Sequence, residues 1–303
     1  MKILVTGGAG FIGSHVVEAF VAAGHQVEVV DSLATGKRAN LPADVPIHVV
    51  DIRDAALDAV LAAFKPEIVA HLAAQASVKI STGDPITDLS INGGGTANVV
   101  ECAVRHGVRK LLYTSTGGML YGEPQVLPTP EDHPTTPTSN YGLSKRVGEQ
   151  YVELAGRMRG LDYTILRYAN VYGPRQDPAG EAGVIAIFTA LMLAGQPCTI
   201  DGDGEQKKDY IYVEDVARAN LLALEAGSGR AINIGTGTGT SVNTIFATLK
   251  DAVGYPLPPN FGPPRPGDVR NVWLDTSRAR AELGWSSTVS FSDGIARTIA
   301  SFR

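Results

Sequence analysis

Lys2-Ile3-Leu4-Val5-Thr6-Gly7-Gly8-Ala9-Gly10-Phe11-Ile12-Gly13, at the start of the chain, places a short apolar run, a glycine cluster and the first turn of a helix in that order. The run 2–6 predicts a buried strand. The glycines at 7, 10 and 13, with 8, 10 and 13 in G-x-G-x-x-G spacing, suit a tight turn, close backbone approach to a pyrophosphate and close helix packing. The helix expected from Phe11 to Ala23, stopped by Gly24, offers bare N–H groups to a phosphate. Residues 27–30 predict a second strand, ending at Asp31. A carboxylate there can accept both ribose hydroxyls and would repel a 2′-phosphate, so NAD is favoured over NADP. Lys37 and Arg38 follow closely and read as solvated or near the pyrophosphate. Asp51, after the third strand, falls near the adenine edge; its other reading is a strand-end turn residue.

Outward from this unit, strands are expected at 47–50, 67–71, 110–114, 163–167 and 231–234, and helices at 54–64, 86–106 and 141–158. The alternation predicts an α/β fold of Rossmann type, a doubly wound parallel sheet with helices on both faces. The short unalternating apolar runs fit strands buried on both sides. After Val171 the rhythm loosens, with helices expected at 183–194 and 214–225. The prolines at 256, 258, 259, 263, 264 and 266 predict a long irregular loop over 254–267, of the kind that serves a ligand. We therefore expect a dinucleotide-binding domain at 1–172, a smaller α/β substrate domain at 173–303, and the stretch 209–235 returning to the first.

The 303 residues suffice for this arrangement. A net charge of -5 supplies no field for nucleic acid. No segment reads as a signal peptide or a membrane span. The two cysteines lack metal-ligand spacing, which predicts no metal site and a reduced, cytoplasmic protein.

Tyr141-Gly142-Leu143-Ser144-Lys145 puts a phenol and an ammonium one helical turn apart. The ammonium and an oxidised nicotinamide both favour phenolate and should lower the phenol toward a usable base. A third hydroxyl is expected at the end of the fifth strand, from Thr116 or Ser115, where ligands sit in such sheets. Each of these features has a plainer reading: a surface pair, or a turn-capping hydroxyl. The glycine cradle upstream tips the balance toward nicotinamide chemistry on an alcohol carbon.

Taken together, the residues resemble the extended short-chain dehydrogenase/reductase superfamily, and within it the NAD-dependent epimerase/dehydratase enzymes typified by UDP-glucose 4-epimerases. The resemblance rests on Thr6 to His15, Asp31-Ser32-Leu33 with Thr35-Gly36-Lys37, Asp51-Ile52, His71-Leu72-Ala73-Ala74-Gln75 and Tyr141 to Lys145. It continues through Leu166 to Arg175, Gly202-Asp203-Gly204, Asp209 to Val213 and Arg265 to Asp268. It implies that Leu72, Ala73, Ala74 and Gln75 line the cofactor beside Gly7, Gly10, Phe11, Ile12, Gly13, Ser32, Leu33, Thr35, Gly36, Lys37 and Ile52. It implies further that Tyr168 contacts the nicotinamide side and that Asn170, Gly183, Val184, Lys208, Tyr210, Arg265 and Asp268 bind a sugar nucleotide.

Three departures from that pattern stand out. The usual serine position is Gly117, so Thr116 must supply the hydroxyl. The usual arginine is Lys208. Asp201 replaces an aromatic that often packs on uracil. Dehydratases of the superfamily carry an Asp-Glu pair where this chain has Gly117 and Gly118, so elimination lacks its acid and base. The resemblance thus implies reversible C4 epimerisation of a UDP-hexose through a transient 4-keto sugar and tightly bound NAD. Val272, at the family's pocket-size position, predicts room for an N-acetyl group. The alternatives are another nucleotide-sugar oxidoreductase or epimerase, or a non-catalytic NAD-binding sensor. A homodimer built on helices 86–106 and 141–158 is also implied.

Overall fold

The computed structural model of the chain describes residues 1–179, 183–264 and 269–303. The first half runs β1 (Lys2–Thr6), α1 (Phe11–Ala22), β2 (Gln26–Asp31), β3 (Ile47–Val49), α2 (Ala56–Phe64), β4 (Ile68–His71), α3 (Val78–Gly83), α4 (Pro85–Leu89), α5 (Thr96–Arg105), β5 (Lys110–Thr116) and α6 (Asn140–Arg159). The second runs β6 (Asp162–Tyr168), β7 (Asn170–Tyr172), α7 (Val184–Leu193), β8 (Thr199–Asp201), β9 (Lys207–Lys208), β10 (Tyr210–Tyr212), α8 (Val213–Ala223), β11 (Arg230–Ile234), β12 (Thr240–Ser241), α9 (Val242–Val253), β13 (Asn260–Gly262), β14 (Asn271–Val272), α10 (Ser277–Leu283) and α11 (Phe291–Phe302).

Seven strands form one sheet in the order β11-β6-β5-β4-β1-β2-β3, every pair parallel. The order reverses between β1 and β4, and a crevice opens at such a switch point. One face is covered by α1 and α8, through Val16, Val17, Phe20, Val216 and Ala219. The other is covered by α2, α5 and α6, through Leu57, Leu61, Val99, Val100 and Val152. Because both faces are covered, Ile3, Leu4 and Val5 are fully buried in succession. Each such side chain contributes roughly 1.5–3 kcal/mol on burial. A third apolar core gathers α7, α9 and α11.

Two expectations are refined. The helix expected at 86–106 is helical without interruption from Pro85 to Arg105, but its middle, Ser90–Gly95, is a π turn between α4 and α5. Gly95 packs closely on the preceding loop: a Cβ there would stand 2.5 Å from Ile52 Cδ1. The proline segment 254–267 is not wholly irregular. Asn260–Gly262, its proline-free centre, pairs in parallel with Thr199–Asp201, where the missing N–H of proline imposes no gap. Val99, Val100 and Val152 lie in the core.

Candidate active site

The turn between β1 and α1 leaves no space for side chains. Gly7 holds φ +71, and a Cβ on it would meet the Ala73 nitrogen at 2.5 Å; one on Gly13 would meet the Gly7 oxygen at 2.1 Å. The β1 turn therefore rests directly on the backbone following β4. Gly10 caps α1 without a side chain and the first turn carries no acid, so its N–H groups are left for an anion. Phe11 and Ile12 open that turn.

Asp31, 8% exposed, accepts from the Ala9 nitrogen at 2.9 Å and the Leu33 nitrogen at 2.8 Å. Leu33 takes φ 58 to make that bend. The Lys37 nitrogen donates to the Ala9 oxygen at 2.9 Å, folding Ser32, Leu33, Thr35, Gly36 and Lys37 back over the cradle. The Lys37 ammonium pairs with Asp177 at 3.4 Å. These residues fit a dinucleotide: a cradle that any Cβ would fill, a bare helix start and a fixed carboxylate. Asp51 is engaged by Arg53 at 2.7 Å, which holds its carboxyl below the usual range. Ile52 is buried and its carbonyl accepts from Asn98.

Beneath the cradle lies His71. Its Nδ1 meets Thr6 Oγ1 at 2.7 Å and its Nε2 meets Thr96 Oγ1 at 3.0 Å. Thr96 spends its own proton on the Asn92 carbonyl at 2.6 Å, so Nε2 carries the imidazole proton. Burial, with Lys145 nearby, pushes His71 down to about 3, a neutral ring. Leu72, Ala73, Ala74 and Gln75 follow as half-buried backbone along the crevice.

Ser139 caps α6 by accepting from the Gly142 nitrogen, which fixes where Tyr141 starts. The Tyr141 nitrogen donates to Ser81 Oγ at 3.2 Å, and Ser144 Oγ donates to the Tyr141 oxygen at 3.0 Å. Lys145 is 2% exposed and its ammonium sits 4.5 Å from the Tyr113 ring centre. Burial lowers Lys145 to about 8 against the opposing charges of Glu149 and Asp88. Tyr141 goes the other way: burial and Asp88 push its phenol up to about 12. The expectation pairs the ammonium with an oxidised nicotinamide; in the protein alone, desolvation is the larger influence on the phenol.

Thr116, at the end of β5, is 8% exposed. At Gly117, where the family usually has serine, a Cβ would stand 2.5 Å from Leu274 Cδ1, so a serine there requires Leu274 to shift. Ser115 Oγ is buried with no hydrogen-bond partner among the described residues. Tyr168 is 4% exposed; its hydroxyl accepts from Asn220 at 2.7 Å and so turns into the core.

A cavity of about 220 Å³ is lined by Asn170, Gly183, Val184, Lys208 and Tyr210, with Asp201 and Gln206 on its wall. The Lys208 ammonium donates to the Val269 carbonyl. Ser115, Thr116, Tyr141 and Val272 do not line this cavity. Val272 is 1% exposed and pairs with Lys208, whose side chain lines the cavity. Arg265 and Asp268 lie outside the described residues. Sequence reading missed Asp209, 2% exposed, as the clasp between the two halves. It accepts from the Thr236 hydroxyl at 2.6 Å and the Leu274 nitrogen at 3.2 Å. It also missed Asp88 and Asn92, whose hydrogen bonds to Gln75 and Ser144 no sequence spacing announces.

Over residues 3–235 the chain matches the NAD dependent epimerase/dehydratase family. It is similar to the UDP-glucose 4-epimerase of Mycolicibacterium smegmatis, 46% identical over 309 residues that cover 100% of this chain and 99% of that one. Among solved structures it is similar to the UDP-glucose 4-epimerase of Thermotoga maritima with UDP-glucose: 50% identity, TM-score 0.98, 100% of this chain and 98% of that one. It is also similar to the Thermus thermophilus UDP-glucose 4-epimerase complex with NAD: 44% identity, TM-score 0.95, 100% of this chain and 99% of that one.

Proposed function

From the premise that the chain belongs to the NAD dependent epimerase/dehydratase family, we propose that it interconverts UDP-glucose and UDP-galactose by inverting C4, with NAD as resident cofactor. The observation that carries this reading is the α6 face bearing Tyr141 and Lys145, set against glycine at 117 and 118, where an eliminating enzyme needs an acid and a base.

Gly7, Gly10, Gly13 and the first turn of α1 would hold the pyrophosphate, and Asp31 the adenosine ribose. When bound, NAD supplies an acceptor that takes hydride from C4 of the sugar and gives it back. Tyr141 takes the proton of the 4-hydroxyl and returns it to the keto oxygen after the sugar has turned its other face. Since the phenol stands at about 12 in the protein alone, with Lys145 already in place, the positive charge of the oxidised cofactor is needed to draw it into working range. Thr116 orients the reacting oxygen. Asn170, Lys208 and Tyr210 hold the nucleotide sugar in the cavity, an ammonium suiting a diphosphate as a point charge. Residues 1–172 with 209–235 serve the cofactor, and the remainder of 173–303 serves the sugar nucleotide. The participation of β11 in the main sheet supports that division.

The protein acts as a homodimer through α5 and α6. Leu143, Tyr151, Leu154 and Met158 recur at helical spacing and are 55%, 45%, 42% and 72% exposed, an apolar stripe that water does not favour. Met158→Glu should convert the dimer to a monomer by light scattering; a dimer that survives it refutes that surface. Among the described residues no helix is long and apolar enough to cross a membrane. The buried free thiols Cys102 and Cys198 suit a reducing cytoplasm.

The test is to incubate the purified protein with UDP-galactose and no added cofactor or reductant. UDP-glucose should form until the two sugars equilibrate. Net accumulation of NADH with an oxidised sugar, or no reaction, would refute the reading.

A further inference from the structure

One buried carboxylate near the site has no part in the mechanism above. Asp88, on α4, is 1% exposed. Its Oδ1 accepts from Gln75 Nε2 at 2.7 Å and from Asn92 Nδ2 at 3.1 Å. Its Oδ2 is buried and has no hydrogen-bond partner among the described residues. An unpartnered carboxylate oxygen in the interior is costly and calls for a compensating charge.

The hydrogen bonds around Asp88 lead to the reacting helix. Asn92 Nδ2 also donates to Ser144 Oγ at 3.0 Å, and Ser144 Oγ donates to the Tyr141 carbonyl at 3.0 Å. Asn92 Oδ1 accepts from the Gln75 nitrogen at 2.9 Å, so the same cluster fixes the segment that lines the cofactor crevice. The charge of Asp88 also acts on both members of the pair: it favours the Lys145 ammonium and disfavours the Tyr141 phenolate.

We propose that Asp88 is a positioning residue of the Tyr141–Lys145 site, its Oδ1 clamping Gln75 and Asn92 and its unpartnered Oδ2 presenting a fixed negative charge to the pair. The inference rests on the epimerase reading above. That charge makes the phenolate, once formed, a stronger base. It also sets how much positive charge must arrive before the phenol ionises. The other titratable groups facing the cluster are Glu149 on α6, His71 on β4 and Tyr113 on β5. Glu149 is already paired with Arg167 at 2.8 Å and His71 is neutral. Lys79 on α3 and Asp84 before α4 are exposed.

Asp88→Asn tests this cleanly, because an amide oxygen can still accept from Gln75 and Asn92 while the charge is gone. The acid limb of kcat/KM against pH should move down by about half a unit or more, with melting temperature and bound NAD unchanged. Asp88→Glu, which restores the charge, should bring the limb back toward the parent position. An Asp88→Asn profile that superposes on the parent overturns the proposal. So does an Asp88→Asn protein that fails to fold or loses its NAD while Asp88→Glu does not restore the limb, for Asp88 would then be structural only. Tyr141→Phe run alongside separates the two failures: if it keeps full turnover, the epimerase reading itself falls.

Discussion

At the cradle, a Cβ on Gly13 would stand 2.1 Å from the Gly7 carbonyl oxygen and one on Gly7 2.5 Å from the Ala73 nitrogen; on the sugar side, a Cβ on Gly118 would meet nothing closer than Asn170 at 3.6 Å, and one on Gly183 nothing closer than Gln176 at 3.7 Å. At Gly7 and Gly13 backbone rests on backbone, and no flexible atom can yield. In the second region, the walls are side chains from separated elements, with open space between them. The cofactor half therefore admits almost no substitution at its contact points. The sugar half can change its selectivity by exchanging side chains on a standing frame.

Substitutions break or sharpen that contrast in a definite order. The largest effect belongs to the group at the junction of the two regions. Tyr141→Phe should lower kcat by about 10²–10⁴ while NAD stays bound, as read by absorbance of the purified protein. Next comes the cradle: Gly13→Ala should strip the protein of NAD and cost about 2–3 kcal/mol by overpacking, measured by denaturant unfolding. A normal NAD content in that variant would refute the contact geometry.

A smaller effect follows from His71 below the cradle. Its folded value of about 3 lies below the 6.5 of the unfolded chain. The unfolded state thus binds a proton that the folded state refuses, and stability falls as pH drops from 6.5 toward 3. By pH 5 the loss should reach about 1–2 kcal/mol, and His71→Asn, which cannot titrate, should show a shallower fall. Least affected is the sugar gap: Gly118→Ala should raise KM by only about two- to tenfold, near 1 kcal/mol, with melting temperature and NAD unchanged. A collapse there equal to that of Gly13→Ala would erase the distinction.

The same contrast explains what could be read from the sequence. β1 and β4 are legible as short apolar runs because helices cover both sheet faces, and the cradle is legible because steric exclusion leaves glycine alone at 7 and 13. Tyr141 and Lys145 are legible because helical spacing puts them on one face. The π turn at Ser90–Gly95 is not, since it has no periodic signal of its own. The helices α9 and α11 went unread although local signals exist: Ser241 and Ser290 each accept from a nitrogen three residues on, and Gly254 stops α9 at φ 72. The Asp88–Gln75–Asn92 cluster and the Asp209 clasp join residues distant in the chain, and only the fold brings them together.

The most direct test of the central claim, that one bound cofactor takes hydride from C4 and returns it to the same carbon while Tyr141 handles only the proton on oxygen, uses UDP-galactose deuterated at C4 in ordinary water. The UDP-glucose formed should keep its deuterium at C4. Deuterium replaced by solvent hydrogen at that carbon would contradict the claim.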